Sequence, residues 1–288
     1  MGNTNFMEFH KGSFTIFISR LRHDDELLEL LSKPIDKIIA ENKKDIIKLT
    51  ADTIVVKITS AKANLFYKGI FTRGFIRRVK SIYRPPIGER VLRANLELSK
   101  KGFFTATVIA YGYLRKFRMV EYSFVVTLEL EKALPLSIYI QQAFVLLPTK
   151  DKLFAKRNFI RILANEIKRM HENHVFHSDL RGDNIMIRNN SGRKEIYFID
   201  HDKPTGNLGS KDEQKKRLKN LFQLNKFSSP DITNTDRMRF FESYVVKGET
   251  KMLHGRDRLT EADKYIARKV IGLTQKWTKK KCNASFYP

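Results

Sequence analysis

The chain has 288 residues, 42% of them hydrophobic and 11% aromatic, which excludes an intrinsically disordered protein and leaves room for one large domain or two lobes. Its single cysteine, Cys282, excludes an internal disulfide framework and a CxxC zinc site, and fits a reducing compartment. The formal net charge of +24 points to an anionic partner (nucleic acid, a phosphorylated ligand or an acidic membrane surface) and does not by itself choose among them.

Along the chain, the start MGNTNFMEFHKG has neither the apolar core of a secretory signal nor a Ser or Thr at the sixth position for myristoylation. Strands are predicted at Phe14–Ile18, Thr53–Ile58, Asn64–Phe71, Phe104–Tyr111, Phe117–Val120 and Ser123–Leu128, all rich in β-branched and aromatic residues. Among them, Ile87, Val91, Ala94 and Leu98 make one stripe of a helix from Ile87 to Lys101, punctuated by Pro85-Pro86 before and Gly102 after. The uncharged run from Ala133 to Pro148 is too short to span a membrane and carries two Pro and two Gln. The second half turns helical. Phe159, Leu163, Ile167 and Met170 share a face between Ala155 and His171, and Leu259 to Trp277 repeats apolar residues at three- and four-residue steps. Between these helices lie two short strands, Ile185–Arg188 and Glu195–Ile199, turned by Asn190, Ser191 and Gly192. The expectation is a strand-rich lobe with one main helix over residues 1–130 and a helical lobe over residues 131–288.

The run HSDLRGDN, His177 to Asn184, hangs between a helix and the strand pair. Phosphoryl transfer from a nucleotide needs a carboxylate to orient and deprotonate the acceptor hydroxyl, hard oxygen ligands for a divalent metal, and a cation on the phosphates. Asp179 is the candidate base. Asn184, five residues on, is the candidate metal amide, and Asp200 at the end of YFID is the candidate metal carboxylate. A hairpin between Asn184 and Asp200 would return the chain to one edge and bring the three together.

HSDLRGDN resembles the protein-kinase catalytic loop HRDLxxxxN with its Asp-to-Asn spacing intact, and FIDHD resembles a divergent form of the metal-binding DFG. What the resemblance implies is an α+β, bilobal protein-kinase-like fold using ATP and Mg2+. Arg181 stands where protein kinases often carry a Lys that contacts the transferred phosphate. Ser178 replaces the Arg that pairs with a phosphorylated activation loop, and His201 and Asp202 replace Phe and Gly, so neither that control nor a flipping DFG is expected. Two strands offer a nucleotide lysine, Lys57 in VVKI and Lys68 in LFYKGI. Kinase element order favours Lys68, with Glu89 of the following helix as its partner, and Lys57 stays open.

After Asp200 the chain reads GNLGSKDEQKKRLKNLFQLNKF and then DITNTDRMRFFESY. This R-x-x-NL-x-QL segment, with the Thr-Asp-Arg helix behind it, resembles the lipopolysaccharide core kinases, the Kdo kinase and heptose kinase group of the Kdo/WaaP family. LFYKGI, the basic run to RPP and KKGFFTATVIAYG agree, so the resemblance runs from about Lys48 to Tyr244. It implies phosphorylation of a Kdo or heptose hydroxyl on an anionic Kdo–lipid A type glycolipid, by an enzyme peripheral on the cytoplasmic face of the inner membrane, with no nucleic-acid partner. Residues Lys68 to Arg93 hold eight basic side chains against one acid, Glu89, which suits such an acceptor. The stripe before KWTKKK reads as packing in the second lobe ahead of a membrane-lying helix anchored by Trp277. The rival readings are a small-molecule kinase, an atypical protein kinase, and a catalytically silent basic module that binds RNA or membrane.

Overall fold

The computed structural model describes residues 5–22, 25–60, 62–143, 149–202, 210–227, 232–245 and 259–284. Residues 1–4, 144–148, 206–209 and 231, and the side chains of 279–282, which enter the sequence readings above, lie outside the described set. Two compact units divide the chain. The first is built from the residues up to Lys100, Thr105–Glu131, His201 and Asp202; the second takes Lys101–Phe104, Lys132–Asp200 and the remainder.

The first unit is a seven-stranded antiparallel sheet. Its strands are β1 (Phe6–Lys11), β2 (Phe14–Ser19), β3 (Ile46–Leu49), β4 (Thr53–Thr59), β5 (Asn64–Phe71), β6 (Val108–Lys116) and β7 (Met119–Leu128), in the order β1-β2-β6-β7-β5-β4-β3. Strict alternation on β4 and β5 sends Ile54, Val56, Ile58, Leu65 and Tyr67 to one face. There they join Leu27, Leu28 and Leu31 of α1 (Asp25–Ser32) and Ile38 of α2 (Ile35–Glu41) in the main core. The opposite face takes α4 (Ile87–Lys100) through Leu92, packed with Val108, Tyr111 and Val125. Gly88 lets α4 approach this closely: a Cβ there would lie 2.4 Å from the Phe124 carbonyl oxygen and 2.8 Å from the Tyr111 Cβ. A short α3 (Phe75–Lys80) links β5 to α4.

The two stretches read as Phe117–Val120 and Ser123–Leu128 form one strand, with positive φ at Phe117 and Arg118 making the turn before it. The strand predicted from Phe104 begins only at Val108, because Phe104 bridges to Tyr197 in the second unit.

In the second unit, β8 (Ala133–Pro135), β9 (Ile185–Asn190) and β10 (Arg193–Phe198) form a small antiparallel sheet. Around it lie α5 (Leu136–Gln142), α6 (Thr149–Glu172), α7 (Ser210–Asn225), α8 (Asn234–Val245) and α9 (Glu261–Ala284). The stripe Phe159, Leu163, Ile167 and Met170 of α6 is buried as its spacing requires. A buried ion pair, Lys156 to Asp236 at 2.6 Å, joins α6 to α8. The long α9 packs on α7: Asn225 donates to Thr274 at 2.8 Å and Lys226 lies 5.5 Å from the Trp277 ring centre. Of the stripe read from the sequence, Leu259 and Val270 are buried and Ile266 and Trp277 partly so, while Ala262 and Leu273 are exposed.

Candidate active site

The loop HSDLRGDN leaves α6 through the turn at His174, whose φ is +56°, and ends in a 3-10 turn, Gly182–Asn184, that feeds β9. His177 is buried and acts as a clasp. Its Nδ1 accepts the Asp179 N–H at 3.1 Å, so Nε2 carries the proton and donates to the Ile199 carbonyl at 2.9 Å. Burial pushes its pKa below the usual histidine value, in keeping with this neutral tautomer.

Asn184 is buried and its Nδ2 donates to the Asp179 carbonyl at 2.8 Å, which leaves the amide oxygen end for a cation. The hairpin then delivers Asp200. Ile185 pairs with Phe198, the Ile199 N–H donates to the Asn184 carbonyl at 3.0 Å, and Asp200 follows one residue later. Asp200 is exposed and has φ +61°, a left-handed conformation that Asp tolerates better than most residues. One loop and one hairpin thus gather Asp179, Arg181, Asn184 and Asp200 on the second unit.

Both oxygens of the Asp179 carboxylate are engaged. Gln223 Nε2 donates to Oδ1 at 3.0 Å, and Arg181 Nε lies 2.8 Å from Oδ2. Gln223 is buried on α7, and its Oε1 accepts the Leu180 N–H at 3.2 Å. One turn earlier, Asn220 brackets the backbone of His177, accepting its N–H at 3.0 Å and donating to its carbonyl at 2.7 Å. Asn220 also accepts from His171 Nε2 at 3.1 Å, while the Tyr244 hydroxyl donates to His171 Nδ1 at 2.8 Å. Complete burial lowers the His171 pKa to about 3, so this ring is neutral as well.

Sequence reasoning recognised NLxQL as a motif and assigned its side chains no task. Asn220 and Gln223, three apart on one face of α7, hold the loop by its backbone and its carboxylate. Arg237 of the Thr-Asp-Arg helix secures the end of α7, donating to the Asn225 and Phe227 carbonyls at 2.8 and 2.6 Å. The signal was the spacing of two amides in an otherwise apolar turn of helix.

In the first unit, Lys68 lies mid-strand on β5, opposite Val125 of β7 and Val55 of β4, on the sheet face that carries α4. Lys57 shares that face and binds Glu129 at 2.7 Å. Glu89, expected as the partner of Lys68, makes an i,i+4 ion pair with Arg93. Also within this unit, Arg90 of α4 reaches Asp202 at 3.4 Å, so the position that replaces the DFG glycine carries a charge tied to the helix.

A family model described as the lipopolysaccharide kinase (Kdo/WaaP) family matches residues 48–244. Among solved structures, WaaP in complex with acyl carrier protein aligns at 19% identity over 87% of this chain and 97% of that one, with a TM-score of 0.58. The kinase domain of PknI from Mycobacterium tuberculosis aligns at 11% identity over 78% and 85% of the two chains, with a TM-score of 0.38. The MAP kinase LmaMPK10 from Leishmania major aligns at 16% identity over 72% and 65%, with a TM-score of 0.36. No curated protein matches. The α+β fold is protein-kinase-like, and the family match spans both units. The chain belongs to the lipopolysaccharide kinase (Kdo/WaaP) family.

Proposed function

We propose that this chain transfers the γ-phosphate of ATP to a Kdo or heptose hydroxyl of the lipopolysaccharide inner core, with Asp179 as the base. The observation that carries this reading is the holding of Asp179 in place: Gln223 and Arg181 meet its carboxylate, His177 accepts its backbone N–H, and Asn184 donates to its carbonyl. Such bracing suits a group that must meet an incoming hydroxyl in one orientation. The acceptor O–H gives its proton to Asp179 as its oxygen bonds to the γ-phosphorus. The bond from phosphorus to the bridging β–γ oxygen breaks, and ADP leaves with that oxygen.

Asn184 and Asp200 offer an amide oxygen and a carboxylate, the hard donors that Mg2+ takes from a protein when phosphates and water complete its shell. Mg2+ bound there would neutralise charge on the phosphates. Arg181 changes partner in this scheme, from Asp179 to the transferred phosphate. Lys68 takes the nucleotide phosphates in preference to Lys57, because kinase element order puts the nucleotide lysine on the strand nearer the following helix. The net charge of +24 suits an acceptor that carries phosphates and carboxylates.

The enzyme would work peripherally on the cytoplasmic face of the inner membrane; none of its described helices is long and apolar enough to cross a bilayer. The likeness to a WaaP solved with acyl carrier protein makes such a carrier a second candidate partner. The test offers labelled ATP with Mg2+, a Kdo-bearing lipid A precursor, a heptosylated precursor and a generic protein to wild type and to Asp179→Asn. Label on one lipid acceptor, lost in the variant, is expected and names the sugar. Label on protein alone, or transfer undiminished in Asp179→Asn, refutes the reading.

A further inference from the structure

The basic run between β5 and α4 contains more than charge. Phe75 and Ile76 of α3 are 77% and 69% exposed, and Tyr83 behind it is 87% exposed. Phe117, at the tip of the β6–β7 turn, is 81% exposed. These two places are neighbours. The Val120 N–H, three residues past Phe117, donates to the Ser81 hydroxyl at 2.8 Å, and the Thr72 N–H donates to the Glu121 carbonyl at 2.8 Å. All three strongly exposed aromatic side chains described in the first unit therefore stand at one end of its sheet.

The flanking charge has one sign. Residues 73–84 hold five basic side chains and no acid, and Arg115, Lys116 and Arg118 add three more around the turn. Two neighbouring acids offset part of this. Asp52 faces Arg73 at 3.5 Å and Arg77 at 3.9 Å, and Glu121 faces Arg78 at 3.8 Å. Bulky apolar side chains exposed in water, ringed by Arg and Lys, have the composition of a surface that enters the headgroup region of an anionic bilayer. A protein partner would ask for a cluster depleted in Lys at its centre, and here Lys80 and Lys116 stand within it.

We propose that α3 and the β6–β7 turn form a membrane-docking surface that seats Phe75, Ile76, Tyr83 and Phe117 in the interface of an anionic bilayer. The proposal rests on the reading of the acceptor as lipid-borne and adds where the enzyme meets the lipid surface. It gives the basic run a task separate from nucleotide binding.

The test is co-sedimentation of the full chain with vesicles of phosphatidylethanolamine and phosphatidylglycerol, against vesicles of phosphatidylcholine alone. No ATP or acceptor is present, so failure of the kinase reading does not affect the result. Wild type is expected to sediment with the anionic vesicles only. The combined variant Phe75→Ser/Ile76→Ser/Tyr83→Ser/Phe117→Ser is expected to lose about tenfold or more of that partition, with the larger loss at high salt, where charge is screened. A charge variant, Arg77→Gln/Lys80→Gln/Arg84→Gln/Arg118→Gln, is expected to lose at least as much at low salt. Leu21→Ser removes a side chain that is 92% exposed between two arginines at the opposite end of the sheet, and is expected to change nothing. Thermal melting of each variant checks that it is folded, and transfer to a soluble, delipidated acceptor is expected to be unchanged in the apolar variant. Three outcomes overturn the proposal: wild type left in the supernatant, apolar variant and wild type sedimenting alike, or the same residues binding an acyl carrier protein while vesicle binding is intact.

Discussion

Replacing Gln223 by Leu removes a brace on Asp179 while keeping the bulk of the side chain. Three protein contacts depend on the lost amide. Its Nε2 donates to the Asp179 carboxylate at 3.0 Å, and its Oε1 accepts from the Leu180 N–H and from Asn220 Nδ2, both at 3.2 Å. A hydrogen bond to a charged group contributes about 1.5–3 kcal/mol, and an orphaned buried N–H costs about 1–3 kcal/mol. The Asp179 side chain is 40% exposed, so water replaces part of the first contribution. The expected loss of stability is about 2–4 kcal/mol, out of the roughly 5–15 kcal/mol typical of a folded protein, so the variant folds. With one oxygen released, the carboxylate swings on the remaining contact to Arg181. A misplacement of about 1 Å is enough for a drop in kcat of about 10–100-fold. Gln223 touches no proposed nucleotide residue, so KM for ATP should stay within about threefold. The assay pairs denaturant unfolding with steady-state transfer of γ-phosphate, normalised to folded protein. Stability that falls as expected, with kcat per folded molecule unchanged, would refute the idea that Gln223 positions the base.

Lys68→Met should abolish transfer or cut it by about 10²–10³-fold, whereas Lys57→Met should mainly loosen the end of β4 where Lys57 binds Glu129; comparable activity losses would reopen the choice. Gly88→Ala should destabilise by about 1–3 kcal/mol and lower Tm by several degrees, because the new Cβ meets the Phe124 backbone carbonyl, which cannot step aside. Gly272→Ala is the control: α9 has open space there, and Tm should hold or rise slightly. Acid should weaken the fold in a defined window. The His171 pKa falls from about 6.5 unfolded to about 3 folded, so between these values the unfolded chain binds the extra proton. Stability is therefore full above about pH 6.5 and declines as pH falls toward 3, by up to roughly 1.4 kcal/mol per pH unit from this ring, with His177 adding in the same direction. A flat unfolding free energy across that range would contradict neutral burial of both rings.

The large elements were legible because their periodicity is strong. β5 runs from Asn64 to Phe71 as its alternation predicts, and α4 ends one residue before the predicted Lys101. Short pieces were not legible: α1, α2 and α3 span eight, seven and six residues, too few turns for a stripe to stand out from chance. Edge strands β1 and β3 have no fully buried residue, so neither carries a clean apolar face to read. At the site, the positions of Asp179, Asn184 and Asp200 could be anticipated because local spacing and one hairpin set them. The roles of Asn220 and Gln223 could not, because they act on a loop more than forty residues away. Glu89 also pairs with Arg93, one turn along the same helix, a local contact that the choice of Glu89 as partner of Lys68 did not take into account.

The His177 clasp bears on how such an enzyme is governed. One neutral ring ties the base-bearing loop to the end of the strand that carries Asp200, through two hydrogen bonds, with Asn184 adding a third between the same pieces. The proposed base and the proposed metal carboxylate thus form a single preassembled cartridge that rises or falls as one. Pulling them apart would strip partners from a buried ring and its neighbours, a change too costly to serve as a routine on–off toggle. Throttling is better sought in access to the cartridge, through delivery of a lipid-borne acceptor or seating of the nucleotide, than in its reassembly.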